Sequence, residues 1–117
     1  MSRHHVEQLL RGVVQPLLLF IIGELPMHGY RIVKELDKRS SGYFNLTEST
    51  VYSALRRLEN KGLVLSSWQQ VSGRQRRRQY ELTERGRQIL DTSLVELQRF
   101  FNAASKVMGY QQSKYIS

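Results

Sequence analysis

The chain has 117 residues, enough for one domain with a modest core, so that pairing with a second copy is a ready source of extra burial. Lys and Arg number 18 against 10 Asp and Glu, a net charge of +8 that favours a polyanionic partner. There is no cysteine, which excludes disulfides, thiolate metal sites and a cysteine nucleophile and fits a reducing cytosol.

Residues 5 to 25 read as a helix, because Leu9, Leu10, Val13, Val14, Leu17, Phe20 and Ile21 recur three and four apart. Its second half is apolar on more than one face, the pattern of a helix covered by its own domain and by a partner chain. Pro16 lacks a backbone donor and predicts a kink or a fresh helix start. The longest apolar run, Leu17 to Ile22, falls far short of the roughly 20 residues that span a bilayer. No cleavage signal follows it, so a cytoplasmic protein without a membrane span is expected.

Leu25-Pro26-Met27-His28-Gly29 breaks the first helix. A second helix is expected over 28 to 38, burying Tyr30, Val33 and Leu36 and turning Arg31, Lys34 and Glu35 to water. His28 stands at its start, where a capping bond or a bond holding the turn is the ordinary role. His4 and His5 lie in the N-terminal arm without further ligands at a recognisable spacing, so no metal is expected. Lys38 to Gly42 starts a loop that Phe44 and Leu46 plug into the core.

The third helix begins near Thr47 or Ser49, whose hydroxyls are suited to capping. Val51, Ala54, Leu55 and Leu58 form its buried stripe, while Ser49, Thr50, Ser53, Arg56, Arg57 and Asn60 lie mostly off it. Gly62 supplies a left-handed C-terminal cap. Two strands follow, about 63 to 71 and 76 to 82, joined by a turn at Ser72 to Gln75. Thr83 and Glu84 start a last helix that runs to about Gly109. Within it Leu90, Leu94, Leu97, Phe101, Ala104 and Met108 repeat as a heptad seam, too short for a free coiled coil and suited to docking on other helices, including those of a second subunit.

Helix, helix, helix, hairpin, long helix is the outline of a winged helix-turn-helix, mainly α with a small β-hairpin. Such a helix fits the major groove of DNA, and a cationic hairpin grips phosphates beside it. Arg74, Arg76, Arg77, Arg78, Arg85 and Arg87 crowd into this second half. Ser49, Thr50, Ser53 and Arg56 point away from the apolar stripe, where hydroxyls and guanidinium can read base acceptors; Arg56 is the candidate for base discrimination. An ordinary solvated helix face is the competing reading, and the wing decides against it. Strand alternation sets Arg76 and Arg78 on one face and Arg77 on the other, although long side chains converge near a twisted tip. Arg74, Arg76 and Arg77 are expected on phosphates or in the minor groove, with at least one arginine structural. Protection of the sheet edge by charge is the alternative. If two protomers neutralise about six phosphates, log affinity falls with log salt at a slope near −5. Glu48 is either an acceptor for a cytosine amino group or a dipole-matched first-turn residue. Trp68 reads as packing between hairpin and core.

Leu10-Arg11-Gly12, Met27-His28-Gly29-Tyr30, the run Thr50 to Val64, Ser67-Trp68, Gly73, Arg76-Arg77-Arg78-Gln79-Tyr80-Glu81-Leu82-Thr83 and Gly86-Arg87 together resemble the PadR family of transcriptional regulators over about residues 9 to 90. The resemblance implies a homodimeric repressor whose third helix enters the major groove of an inverted repeat and whose wing touches the flanking backbone. Thr47 joins Ser49, Thr50, Ser53 and Arg56 in that readout. Tyr52 matches the family tyrosine that gives its hydroxyl to a phosphate, and a ring packed in the core is compatible with that role. The first and last helices would build the dimer, through Leu10, Val13 and Leu17 on one and Leu90 to Met108 on the other. The implied organisation is a DNA-binding domain at 1–82, a dimerisation helix packed on the same unit at 83–110 and a flexible tail at 111–117. Many members carry Pro-Gly where this chain has Glu48-Ser49, so a carboxylate stands at the helix entrance. Some members respond to phenolic acids or hydrophobic drugs, and Phe100 and Phe101 are either core packing or the wall of an inter-subunit effector pocket.

No glycine-rich phosphate loop, nucleophile elbow, His-Glu-x-x-His or paired acidic constellation occurs, so neither an enzyme nor a cofactor is expected. The partners expected are double-stranded DNA, a second copy and an optional small effector. An architectural or replication-blocking DNA-binding protein, and a winged-helix module that binds protein instead, are the competing functions.

Overall fold

The computed structural model describes residues 8–109. The expectations for His4, His5, the start of the first helix and the tail at 111–117 fall outside them. The described elements are α1 (Val14–Glu24), β1 (Met27–His28), α2 (Gly29–Arg39), α3 (Glu48–Asn60), β2 (Val64–Ser72), β3 (Gln75–Leu82) and α4 (Glu84–Met108). The fold is mainly helical, with one three-stranded antiparallel sheet in the order β1-β3-β2.

The single helix expected over 5 to 25 is broken. Residues 8–10 are helical, residues 11–13 form a turn through Gly12, and α1 restarts at Val14. Pro16 therefore sits in the first turn, where its missing donor would have had no intrahelical partner. The restart also moves the buried face. Leu10, Leu18, Leu19, Ile21 and Ile22 are buried, whereas Leu9 and Phe20 are exposed. A helix that is apolar all round carries no unique stripe, and its neighbours decide which side is covered.

Helix α2 buries Ile32 and Leu36, while Tyr30, expected inside, is exposed and lies under the Lys34 ammonium, 5.1 Å from the ring centroid. The ammonium is held above its ordinary pKa by the Tyr30 side chain. Arg39 closes the helix by bridging Glu24 of α1 at 2.7 Å and Glu35 at 2.9 Å. Leu46 is buried and Phe44 packs half-buried against the core, as their sequence context suggested.

Helix α3 buries Val51, Ala54, Leu55 and Leu58, the expected stripe. Thr47 is its N-cap, with Oγ1 accepting from the Thr50 amide at 3.1 Å. Gly62, at φ 77°, lets the Leu63 amide reach the Leu58 carbonyl and its own amide reach Glu59, both at 3.0 Å. This Schellman closure feeds the chain straight into β2. The β1 strand escaped the sequence reading. It pairs Met27 with Tyr80 and His28 with Gln79, and two residues are too few to show a period. Helix α4 begins on the Thr83 cap, buries Gly86 and Leu90, and then runs on with its apolar residues largely uncovered.

Candidate nucleic-acid interface

The outer face of α3 and the β2–β3 hairpin enclose a concave basin of about 660 Å³. Its lining includes Tyr52, Arg56 and Glu59 from α3 and Trp68, Arg76, Arg77 and Arg78 from the hairpin. Four guanidinium groups against one carboxylate make it strongly cationic. Arg56 and Ser53 are exposed, with no protein covering them.

Of the sequence candidates, the basin unites Tyr52, Arg56, Arg76 and Arg77. Thr47, Ser49, Thr50 and Ser53 stand outside it on the exposed first half of α3, and Arg74 is at the hairpin tip. Register confirms that Arg76 and Arg78 share a face, opposite Gln70 and Trp68, while Arg77 lies opposite Gln69 on the other. Arg77 nevertheless reaches the basin and lowers the Tyr52 pKa through its charge.

Tyr52 is half-buried, with its ring across Gly29 at the start of α2. Burial raises its pKa, the Glu48 carboxylate adds to the rise, and Arg77 and a backbone hydrogen bond with Tyr30 partly oppose it. With its pKa raised, the phenol keeps its hydrogen at neutral pH and can donate it to an acceptor in the basin. Tyr80 forms the floor, buried in the core, and desolvation likewise raises its pKa.

Four residues in or beside the basin were missed or misread from sequence. Trp68 does not pack into the core. It is 56% exposed, with Arg78 and Arg76 over its ring at 5.3 and 5.6 Å. Its neighbours on the strands are polar, so this far along the hairpin there is no core left to enter. Glu59 and Ser66 join across the Gly62 cap at 2.6 Å, a contact visible only once the cap folds the chain back. Of the two roles expected of His28, the capping bond is not made, and its Nε2 is buried without a partner among the described residues. Pairing with β3 fixes its backbone as strand, and the residue lines the basin with Tyr30 and Tyr80.

A second concavity, about 790 Å³, lies between residues 9–16 and α4. Leu9, Leu10, Val13, Leu97, Phe100 and Phe101 line it, and the two phenylalanine rings meet edge to face at 6.0 Å. Leu10 and Leu90 of the expected dimer seam are already buried in their own chain, whereas Leu94, Phe101 and Met108 are exposed. Among the described residues no group of three or more potential ligands could hold a metal ion. No helix among them is long and apolar enough to cross a membrane.

Residues 18–92 match the family model described as the transcriptional regulator PadR-like family. A protein of Lysinibacillus sphaericus is 30% identical over 88 residues, 75% of this chain and 81% of that one. The chain is similar in structure to a PadR family transcriptional regulator from Eggerthella lenta, with TM-score 0.79, 28% identity and 92% of each chain covered. A PadR family transcription regulator from Clostridium difficile aligns with TM-score 0.70 and 31% identity over 83% of this chain and 98% of that one. Bacillus subtilis PadR, solved in complex with operator DNA, shares the fold at TM-score 0.66 and 20% identity, over 71% of this chain and 47% of that one.

Proposed function

The chain belongs to the PadR-like family of transcriptional regulators, and from that premise we propose that it is a cytoplasmic homodimer that occupies a palindromic operator and represses transcription. The observation that carries this reading is the cationic basin joining α3 to the wing. A rod of helix diameter fits the major groove, and guanidinium groups beside it neutralise the flanking phosphates. Bacillus subtilis PadR, a protein of the same fold, is solved in complex with operator DNA, which supports DNA as the partner here. In the dimer the exposed apolar side of α4 meets a second copy, and two α3 helices about 34 Å apart read half-sites one turn apart. An effector entering the groove beside Phe100 and Phe101 would act by shifting the angle between the two reading heads.

Selection of bound duplexes from a random pool, read by sequencing, tests specificity, palindromy and spacing together. Equal recovery of every duplex would favour an architectural role, and no binding at low salt a protein-interaction role.

The roles within the basin divide. Arg77→Ala should weaken binding to all sequences and make the salt slope shallower by about 0.9 per lost phosphate contact. Arg56→Ala should instead relax preference at one base position, worth about 1–3 kcal/mol. Equal losses across sequences for both variants would disprove the division. Gly29→Ala probes Tyr52: the added Cβ would lie 2.5 Å from Tyr52 Cε1. The ring, the far end of a side chain, can swing outward and take its hydroxyl with it. The expected result is a melting temperature near that of the wild type and an affinity reduced about tenfold, the loss of one hydrogen bond to a charged acceptor. Wild-type affinity would show that the Tyr52 hydroxyl is idle.

A further inference from the structure

The four arginines of the basin are not held alike. Arg78 Nε donates to Ser66 Oγ at 2.8 Å, and Ser66 Oγ donates its only hydrogen to Glu59 Oε2 at 2.6 Å. Polarity fixes this direction, since guanidinium can only donate and carboxylate only accept. The Trp68 ring, directly across the ladder, lies against Arg78 at 5.3 Å. The chain Trp68–Arg78–Ser66–Glu59 thus runs from the middle of the hairpin to the last turn of α3. Arg76 shares the Trp68 ring at 5.6 Å, but neither it nor Arg77 carries a hydrogen bond or ion pair among the described residues, so the bond to Ser66 is what sets Arg78 apart.

The hairpin needs such a tie. Its β1 support ends at Gln79, and beyond that point β2 and β3 pair only with each other while every residue from 67 to 78 is exposed. A carboxylate facing a polyanion repels it, so the place of Glu59 inside a cationic basin calls for a reason. Relaying charge to Arg78 through Ser66 supplies one.

We propose that Trp68, Ser66 and Glu59 brace Arg78, making it a positioning residue that sets the angle of the wing to α3, while Arg76 and Arg77 remain the phosphate ligands. This rests on the duplex-reading function above. The brace predicts two classes of variant on the duplex selected by the wild type. Arg76→Ala should flatten the salt slope by about 0.9 per protomer. Ser66→Ala and Arg78→Ala should lower affinity about tenfold, the scale of a charge-assisted bond, with the salt slope unchanged. Ser66→Thr, which keeps the hydroxyl, should restore binding. Melting temperatures should fall by several degrees at most, the scale of one charge-assisted bond, and the fold should persist because the core residues are untouched.

Trp68 is the sole tryptophan, so its emission reports the brace without DNA: Arg78→Ala should shift it in the free protein. A slope flattened by Arg78→Ala as by Arg76→Ala would make Arg78 a phosphate ligand and overturn the proposal. Wild-type affinity of Ser66→Ala, or unaltered emission in Arg78→Ala, would overturn it too. A wild-type protein that selects no duplex would sink the parent function instead, and the emission arm would still decide the brace.

Discussion

Leu97→Asp should convert the protein to monomers and cost it the palindromic site. Beyond Leu90 the apolar residues of α4 are only partly covered by their own chain: Leu94 is 37% exposed, Phe101 52% and Phe100 62%. Leu97 lies among them, half-buried in the groove that residues 9–16 form with α4. If a second copy covers this surface, an aspartate at its middle must be desolvated without a partner, a cost of about 3 kcal/mol or more. Each 1.4 kcal/mol is about tenfold in the dimer equilibrium. Losing the second reading head also removes the gain from linked half-sites, about two to four orders of magnitude in apparent affinity. Sedimentation velocity gives the direct test. Phe101→Asp, at a more exposed position on the same side, should behave alike, which separates loss of pairing from damage to the monomer. Dimers that persist in both variants would remove α4 from the interface.

What the sequence made legible follows from the range of each signal. The α3 stripe, the Thr47 cap, the Gly62 cap and the Ser72–Gln75 turn are local patterns, each set within a few residues, and all four stand in the structure. The basic wing was legible as charge density, and the alternation of Arg76, Arg77 and Arg78 as strand geometry. Features that depend on which surface meets which were hidden. Phe20 and Tyr30 have the right spacing for burial, yet other residues of their helices face the core. Trp68 carries the composition of a core residue at a place the core does not reach. The Glu59–Ser66–Arg78 relay joins residues whose proximity exists only after the cap and hairpin have formed.

The junction those signals leave unexplained is also where a single methyl group should do most harm. Thr83 caps α4 by accepting from the Gly86 amide at 2.9 Å, and its own hydroxyl donates to the Gly62 carbonyl at 2.7 Å. The Thr83 amide donates to the Leu63 carbonyl at 3.1 Å. These bonds pull the first turn of α4 onto the start of β2, and Gly86 permits the approach: a Cβ there would overlap the Leu63 carbonyl oxygen itself. Backbone on both sides leaves no side chain to swing away, unlike at Gly29. Gly86→Ala must therefore lift α4 off the strand and loosen the Thr83 bonds together, a cost of about 3 kcal/mol or more. The melting temperature should fall by roughly 10–20 °C on the scaling for a domain of this size. Because α4 also carries the proposed pairing surface, the lift would re-aim the two reading heads, so affinity for the palindrome should drop even well below the melting transition. A melting temperature within about 2 °C of the wild type would mean that the helix docks with slack, and that Gly86 is not what lets α4 seat on β2.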